Sequence, residues 1–506
     1  MTDLTVIPAT NAALPDTPMM LQHWIGGAWL DSADGATSGR CSPAHGMTVS
    51  VAARGGVAET EAAIAAARAC FDAGTWSRGS GKDRATLLLK VADLIDRDRA
   101  ALARQEVLES GKPITQAKAE IEGAADLWRY AAALARTLHG DSHNTLGPDM
   151  LGLVLKEPVG VVALIAPWNF PFLIVSQKLP FALAAGCSAV IKPSEMTPGT
   201  TVMLGRLLQE AGLPDGVVNI VLGYGDPVGE TLSKDPRVDM VSFTGSTGVG
   251  KRITAAASAT LKKVSLELGG KNPQVVFPDA DLDQAADAIA FGVYFNAGEC
   301  CNSGSRIIVH EDVAEALTEK LVSLSRRVPF GEPLDPRTQV GAIISPEHLE
   351  KIDAYVQEAK AAGARLALGG AALEVGGLGA QFYQPTIVTG VRPDMPIACE
   401  EVFGPVVSVL TFRTPEEAIK LANGAAYGLS AGVWSSDVST CLDFARRVQA
   451  GTVWTNTWMD GFAELPFGGF KQSGQGRELG RYGIEEFLEV KTVQMRIGAT
   501  RGAWVA

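Results

Sequence analysis

No CxxC pair occurs anywhere in the chain, and five of its seven cysteines stand alone: Cys41, Cys70, Cys187, Cys399 and Cys441. Zinc ribbons and thioredoxin-like redox chemistry are thereby disfavoured, and a reducing compartment, the cytoplasm, is expected. There is no run of five like charges and no basic stripe. With 44 Lys and Arg against 56 Asp and Glu, the net charge is -12. Such a chain is a poor ligand for nucleic acid or an anionic membrane. The first twenty residues lack a basic n-region and an apolar h-region, so no secretory signal is read there and a loose tail is expected. Residues 158–191 come closest to a membrane span, with Lys178 as the only charge. Pro158, Pro167, Pro171 and Pro180 interrupt that stretch, and strand–loop–helix–strand fits it better. Internal repeats and low-complexity linkers are also missing.

What is present is a globular composition, 46% hydrophobic and 20% charged over 506 residues. That length calls for two or three domains. Residues 57–136 carry helical periodicity, for instance over 85–110, with Gly111 and Pro113 closing the run. The rhythm then changes to short β-branched runs at 161–166, 188–193, 217–223, 239–245 and 262–268, separated by helical stretches. Alternation of this kind predicts a parallel sheet covered by helices on both faces, with ligands at the carboxyl ends of the strands. A second α/β series begins near 273 and runs to about Gly483. It includes a helix at 281–295, a strand at 305–310 and a helix at 312–327. The segments 151–158 and 485–497 fit neither series. Both alternate apolar and polar side chains and read as hairpin or edge strands in need of a partner, such as a second subunit.

Polar residues and glycines cluster at four predicted strand ends: Pro167-Trp168-Asn169-Phe170-Pro171, Lys192-Pro193-Ser194-Glu195, Thr244-Gly245-Ser246-Thr247-Gly248-Val249-Gly250 and Glu267-Leu268-Gly269-Gly270. A nucleotide crevice needs such residues there. The glycine loop 245–250 begins like a P-loop, but Arg252 stands where Ser or Thr would hold magnesium. It reads as a Gly-rich turn opening a helix toward a pyrophosphate, or as a tight packing turn. Glu195, just after a strand end, can accept hydrogen bonds from both ribose hydroxyls and would repel a 2′-phosphate, which favours NAD over NADP. Lys192 could bind the same ribose, and an exposed salt bridge is the plainer reading of the pair. Cys300 and Cys301 lie in a loop of small residues. A loop thiol can be a nucleophile, whereas a lone buried Cys is commonly structural. No His occupies a recognisable Cys-protease motif, and no metal site is read.

Seven motifs then occur in order: PWNFP (167–171), KPSE (192–195), FTGSTGVG (243–250), LELGGK (266–271), GECC (298–301), EEVFGPV (400–406) and PFGGFKQSGQGRELG (466–480). With them the chain resembles the aldehyde dehydrogenase superfamily from about Ile25 to the C-terminus. The resemblance implies a Rossmann-like α/β cofactor domain at 1–140 and 159–268. It further implies an α/β catalytic domain at 269–483 and a small β oligomerisation element at 141–158 and 484–506.

By the same resemblance, Cys301 is the nucleophile, Asn169 an oxyanion donor and Glu267 the base that activates water, in an NAD-dependent oxidation of an aldehyde to a carboxylic acid. The cofactor contacts it implies are Ala166, Pro167, Trp168, Lys192, Ser194, Glu195, Gly225, Gly229, Phe243, Thr244, Gly245, Ser246, Val249, Leu268, Gly269, Glu401 and Phe403. Lys178 is expected at the site. The implied pocket holds Phe170, Leu173, Ile174, Gln177, Phe295, Cys300, Asn302, Trp458, Asp460 and Phe467. Gln177 stands where succinic semialdehyde dehydrogenases carry Arg, which disfavours a dianionic product. A cationic aldehyde and an ordinary aliphatic or aromatic one both stay open. Glu299 replaces the family's usual Gln and is expected to point away from the thiol. The implied partners are a small aldehyde and further copies of the chain, as homodimer or homotetramer. Rival readings are a CoA-acylating relative, which usually lacks the base at Glu267, a catalytically silent structural member, and a P-loop NTPase.

Overall fold

The structure is a computed structural model that describes residues 4–10, 14–498 and 504–505. The expected tail is anchored where it is described. Val6–Ile7 pairs in parallel with Phe330–Gly331, and Met19–Leu21 with Ser50, Val51 and Ala52. The β-branched pair Val6-Ile7 brings apolar area to bury, and Ile7 is buried. Residues 1–3 and 11–13 of that segment lie outside the described residues.

The helical stretch forms Val57–Ala73, Gly81–Arg97, Arg99–Ser110 and Ile114–Thr137. The run read over 85–110 is therefore two helices, broken at Asp98 (φ -97°, ψ 11°). Aspartate competes for local hydrogen bonds and prefers helix ends. Gly111, at φ 83°, ends the second helix.

Five strands run parallel in the order Lys263–Glu267, Met240–Thr244, Val161–Ile165, Ser188–Lys192, Val218–Ile220. The stretch 158–191 is the strand–loop–helix–strand unit expected of it, with the helix Pro171–Ala185 between two strands. Both strands are buried throughout, which is why they read as continuous apolar runs. His23–Ile25 and Ala28–Leu30 extend one edge, and Gly474–Gln475 pairs antiparallel with Leu266 and Glu267 at the other. A second, seven-stranded sheet comprises Arg365–Leu368, Thr386–Thr389, Val406–Phe412, Arg306–His310, Pro273–Val276, Ser430–Trp434 and Thr452–Thr455. All but the first of these pair in parallel.

The two segments that fitted neither series pair with each other. Leu488–Arg496 runs antiparallel to Met150–Pro158 in unbroken register from Leu488↔Pro158 to Arg496↔Met150, and Asp141–His143 covers the far side. The sequence reading began the C-terminal strand too early, because Gly480–Glu486 is helical. Of the strand itself only Leu488 is buried, and Val490 is 68% exposed. Among the described residues its outer edge has no strand neighbour. Residues 499–503 and 506 of the 484–506 element lie outside the described residues.

Candidate active site

The chain leaves Val161–Ile165 in one direction to Ser188–Lys192 and in the other to Met240–Thr244, so the sheet order reverses beside it. Such a reversal opens a crevice at the carboxyl ends. The ends are level: Lys192 pairs with Ile165, Ile165 with Phe243, and Thr244 with Glu267. The residues expected at a cofactor or a reacting carbon follow directly. Ala166, Pro167 and Trp168 leave the central strand, and Ala166 N–H donates to Lys192 O at 3.0 Å. Pro171 opens the next helix at a position that needs no N–H donor, and this holds Asn169, 5% exposed, in the turn before it.

Lys192 is buried, with Nζ donating to Pro193 O at 3.0 Å and lying 3.5 Å from the Glu195 carboxylate. Burial lowers the lysine pKa and Glu195 opposes the shift. The pair is therefore not the exposed salt bridge of the plainer reading. Ser194 Oγ accepts from Met196 N–H. Ser246 caps the helix Thr247–Ala257, accepting from Val249 N–H at 3.4 Å. Gly225 and Gly229 bound a turn in which Gly229 lies against the Lys192 stem, and a side chain at Gly225 or Gly248 would meet open space. Trp168, Phe403 and His348 form an edge-to-face group with centroids 5.4–5.9 Å apart. His348 Nε2 lies 2.7 Å from Phe403 O, the carbonyl of a residue at φ 61°. Gly270 N–H donates to Glu401 at 2.9 Å, and a Cβ on Gly269 would fall 2.5 Å from the same carboxylate, so a side chain there would push Glu401 aside. Burial lifts Glu401 to about 7.

One cavity of about 470 Å³ gathers the rest. Its wall includes Cys301, Cys300, Glu267, Thr244, Leu268 and Asn302, with Phe170, Leu173, Ile174, Gln177, Phe295, Asp460 and Phe467 from the expected pocket. Trp458 is a correction. Its indole is buried against Trp454 (4.8 Å) and fills the space left by Gly292, Gly304 and Gly432, outside the cavity wall. A wider groove of about 670 Å³ between Gly81–Arg97 and Met150–Pro158 contains none of the expected residues.

Glu267 ends its strand 3% exposed, and neither carboxylate oxygen has a hydrogen-bond partner among the described residues. Burial, then Glu478, pushes its pKa well up, while Lys178 and Arg477 pull it down. Lys178, the lone charge of its stretch, is buried between Ser242 Oγ (3.0 Å) and Glu478, with which it pairs. The Cys300 thiol hydrogen-bonded beside it, burial, and the carboxylates Glu401 and Glu267 hold Cys301 above its ordinary range. Its carbonyl accepts from Asn272 Nδ2 at 2.7 Å. Glu299 points away from the thiol as expected, accepting from Ile344 N–H at 2.9 Å.

Sequence reasoning missed Glu120, Phe291, Trp454, Met459, Phe462, Leu465 and Glu478 in the wall. Glu120 had a usable signal: it sits on the buried stripe Ala117, Glu120, Ile121, Ala124 of the helix Ile114–Thr137. An acid at such a position needs a buried partner, and here it pairs with Lys112.

A parallel sheet with a nucleotide crevice, a loop thiol and an unpartnered buried carboxylate in one cavity defines a cofactor-dependent oxidoreductase with a covalent step. Residues 29–493 match the family model described as the aldehyde dehydrogenase family. A betaine aldehyde dehydrogenase of Bacillus subtilis is 43% identical over 471 residues, 93% of this chain and 96% of that protein. Human retinaldehyde dehydrogenase 3 is 41% identical, over 94% of this chain and 93% of its own. Among solved structures, an NAD-dependent aldehyde dehydrogenase from Sinorhizobium meliloti superposes with TM-score 0.96 at 51% identity, covering 99% of both chains. A betaine aldehyde dehydrogenase from Staphylococcus aureus, crystallised with NAD+, gives 0.94 at 40% identity, covering 96% of this chain and 99% of that one. The chain belongs to the aldehyde dehydrogenase family.

Proposed function

We propose that this chain oxidises an aldehyde to a carboxylic acid with NAD, through a covalent intermediate on Cys301 that water hydrolyses with Glu267 as base. The observation that carries this reading is a cavity in which the Cys301 thiol shares the wall with a buried carboxylate whose oxygens have no hydrogen-bond partner among the described residues. The Cys301 thiolate adds to the aldehyde carbon and forms a thiohemiacetal. The new oxyanion takes hydrogen bonds from the Asn169 side chain and the Cys301 N–H. NAD, when bound, supplies the nicotinamide that accepts the hydride. Loss of that hydride leaves a thioester on Sγ. Glu267 removes a proton from water as the water attacks, the C–S bond breaks, and the acid departs. The free oxygens of Glu267 suit that task, since a water needs an acceptor that nothing else occupies. The presence of this base disfavours the CoA-acylating and silent alternatives.

The crevice fits NAD. Open space at Gly225 and Gly248 leaves room against the backbone, and the Lys192–Glu195 pair at the strand end supports a ribose site there. We assign cofactor binding to 1–140 and 159–268 and chemistry to 269–483. Because Glu195 would face a 2′-phosphate, Glu195→Gln should narrow the NAD over NADP preference in kcat/KM by about tenfold, the scale of ~1.4 kcal/mol. A wild-type enzyme that prefers NADP would overturn the assignment.

The wall of the cavity narrows the substrate. Among the described residues it presents Glu120, Glu267, Glu478 and Asp460 and no Lys, Arg or His, beside Phe170, Phe295 and Trp454. Lys178 neutralises Glu478, and Gln177 adds no positive charge. We infer a cationic, ammonium-bearing aldehyde, held over the aromatic faces of Phe295 and Trp454, with the Glu106–Lys112–Glu120 cluster, which has one carboxylate more than it has ammonium groups, as counter-charge. Burial raises Glu120 and Lys112 opposes the shift, and an incoming cation favours the ionised form. The betaine aldehyde dehydrogenases among the relatives support this choice. The test is NADH formation with an ammonium aldehyde, its neutral carbon isostere and an ω-carboxylate aldehyde. The cation should lead in kcat/KM by roughly tenfold or more, and Glu120→Gln should remove most of that lead while sparing the isostere. Equal rates on all three would refute the charge argument.

The open edge of Leu488–Arg496 supports a homodimer, or a dimer of dimers, joined through that strand. Among the described residues no helix is long and apolar enough to cross a membrane. The cysteines among them are all unpaired, which supports a cytoplasmic enzyme.

A further inference from the structure

Asn296, Ala297 and Gly298 lie immediately before the catalytic loop with φ of 51°, 56° and 77°. Three consecutive residues in the left-handed region are costly for L side chains. Asparagine tolerates that region better than most residues, yet the Asn296 side chain does more than tolerate it. It is 3% exposed, and its Nδ2 donates to Asn169 O at 3.1 Å and to Glu299 O at 3.0 Å. The Asn169 side-chain Nδ2 donates to that same Glu299 carbonyl at 3.0 Å. One carbonyl thus receives both amides, and Asn169 is held at its backbone oxygen and at its side chain.

The support behind this clamp is also buried. Asn296 N–H donates to Gln116 Oε1 at 3.1 Å, and Gln116 Nε2 donates to Glu120 at 3.1 Å. Glu120 is paired with Lys112, which also donates to Glu106 at 2.9 Å. From the other side, Glu299 N–H donates to Asn296 O at 2.9 Å. The second hydrogen of the Asn169 amide has no protein acceptor among the described residues. We propose that Asn296 is a positioning residue for the oxyanion site: its amide fixes Asn169 so that the remaining N–H stays aimed where negative charge develops on the substrate oxygen. A donor fixed in advance does not have to reorient during the reaction. The inference rests on the reading of Asn169 as the oxyanion donor.

The competing explanation is that Asn296 is there only for its backbone angle. Asn296→Gly keeps that angle and deletes the amide. Asn296→Asp keeps the angle and the shape but sets a carboxylate oxygen against two carbonyl oxygens. If the backbone alone mattered, both would behave like wild type. The experiment measures single-turnover NADH formation in the full-length enzyme with saturating NAD and propanal, and beside it the rate of Cys301 alkylation by iodoacetamide, which forms no oxyanion. NADH formation should fall roughly 10–100-fold in Asn296→Gly and further in Asn296→Asp. Alkylation and the KM for NAD should stay within about twofold. Retained NADH formation in both variants would overturn the proposal, and so would parallel loss of alkylation, which would mean that the loop has collapsed. Asn169→Ala is run alongside. If it keeps the hydride step, the oxyanion reading falls and this inference with it; if it loses the step while both Asn296 variants keep it, this inference alone fails.

Discussion

Cys301→Ser should abolish NADH production from aldehyde while leaving NAD affinity nearly unchanged, and Cys300→Ser should retain substantial activity. Both thiols line the cavity, so wall position alone does not separate them. Their surroundings do. Cys300 is 4% exposed and packs with Phe170 and Ile174 in an apolar cluster, the setting of a structural cysteine. Cys301 is more open, and Asn272 fixes its carbonyl. A serine hydroxyl is a far weaker nucleophile than a thiolate, so the expected loss is on the order of a thousandfold or more. The Cys300 variant carries a second consequence. The Cys300 thiol heads the influences that raise Cys301, so its removal should move the alkylation rate profile of Cys301 toward lower pH. Inactivity of Cys300→Ser with activity of Cys301→Ser would show that the wrong thiol has been assigned.

Glu267→Gln should leave the hydride step running and stall hydrolysis, giving a burst of NADH followed by turnover reduced by roughly two to four orders of magnitude. The reason is the isolation of that carboxylate. Because both oxygens lack hydrogen-bond partners among the described residues, an amide in its place disturbs no hydrogen bond; it removes the basicity and, with it, one of the carboxylates that raise Cys301. Burial and Glu478 shift its protonation above the ordinary carboxylate range. The base form is therefore lost as pH falls through that raised value, and wild-type hydrolysis should decline at a higher pH than a water-exposed glutamate would dictate. Pre-steady-state traces across pH check both points. Loss of the burst itself would place Glu267 earlier, in activation of the thiol.

The parallel sheet was legible because buried strands are marked by unbroken β-branched runs and their ends by glycines and polar residues. The ordered motifs located Cys301, Glu267 and Asn169 in the primary structure. The residues that were not legible act across distance. Glu120 is one acid on a helix 181 positions before Cys301, and Glu478 matters because it meets Lys178. Neither relation leaves a periodic trace. Trp458 was placed in the pocket by analogy, and no residue pattern shows that three glycines would open a slot for its indole. The break at Asp98 follows from one side chain's preference, which periodicity over 85–110 overrides on paper. The tail at Val6–Ile7 was misread because two apolar residues are too few to signal a strand.

The short strand Gly474–Gln475 has a consequence for how the enzyme is made. It holds Leu266 and Glu267 from one side, and Ser473 binds Leu268 and Gly269. Three residues on, Glu478 closes the Lys178 pair. On the ribosome, Asn169, Glu267 and Cys301 all emerge long before these supports exist. That edge strand is thus laid down after all three of those residues, when the growing polypeptide returns from its second sheet to the edge of its first.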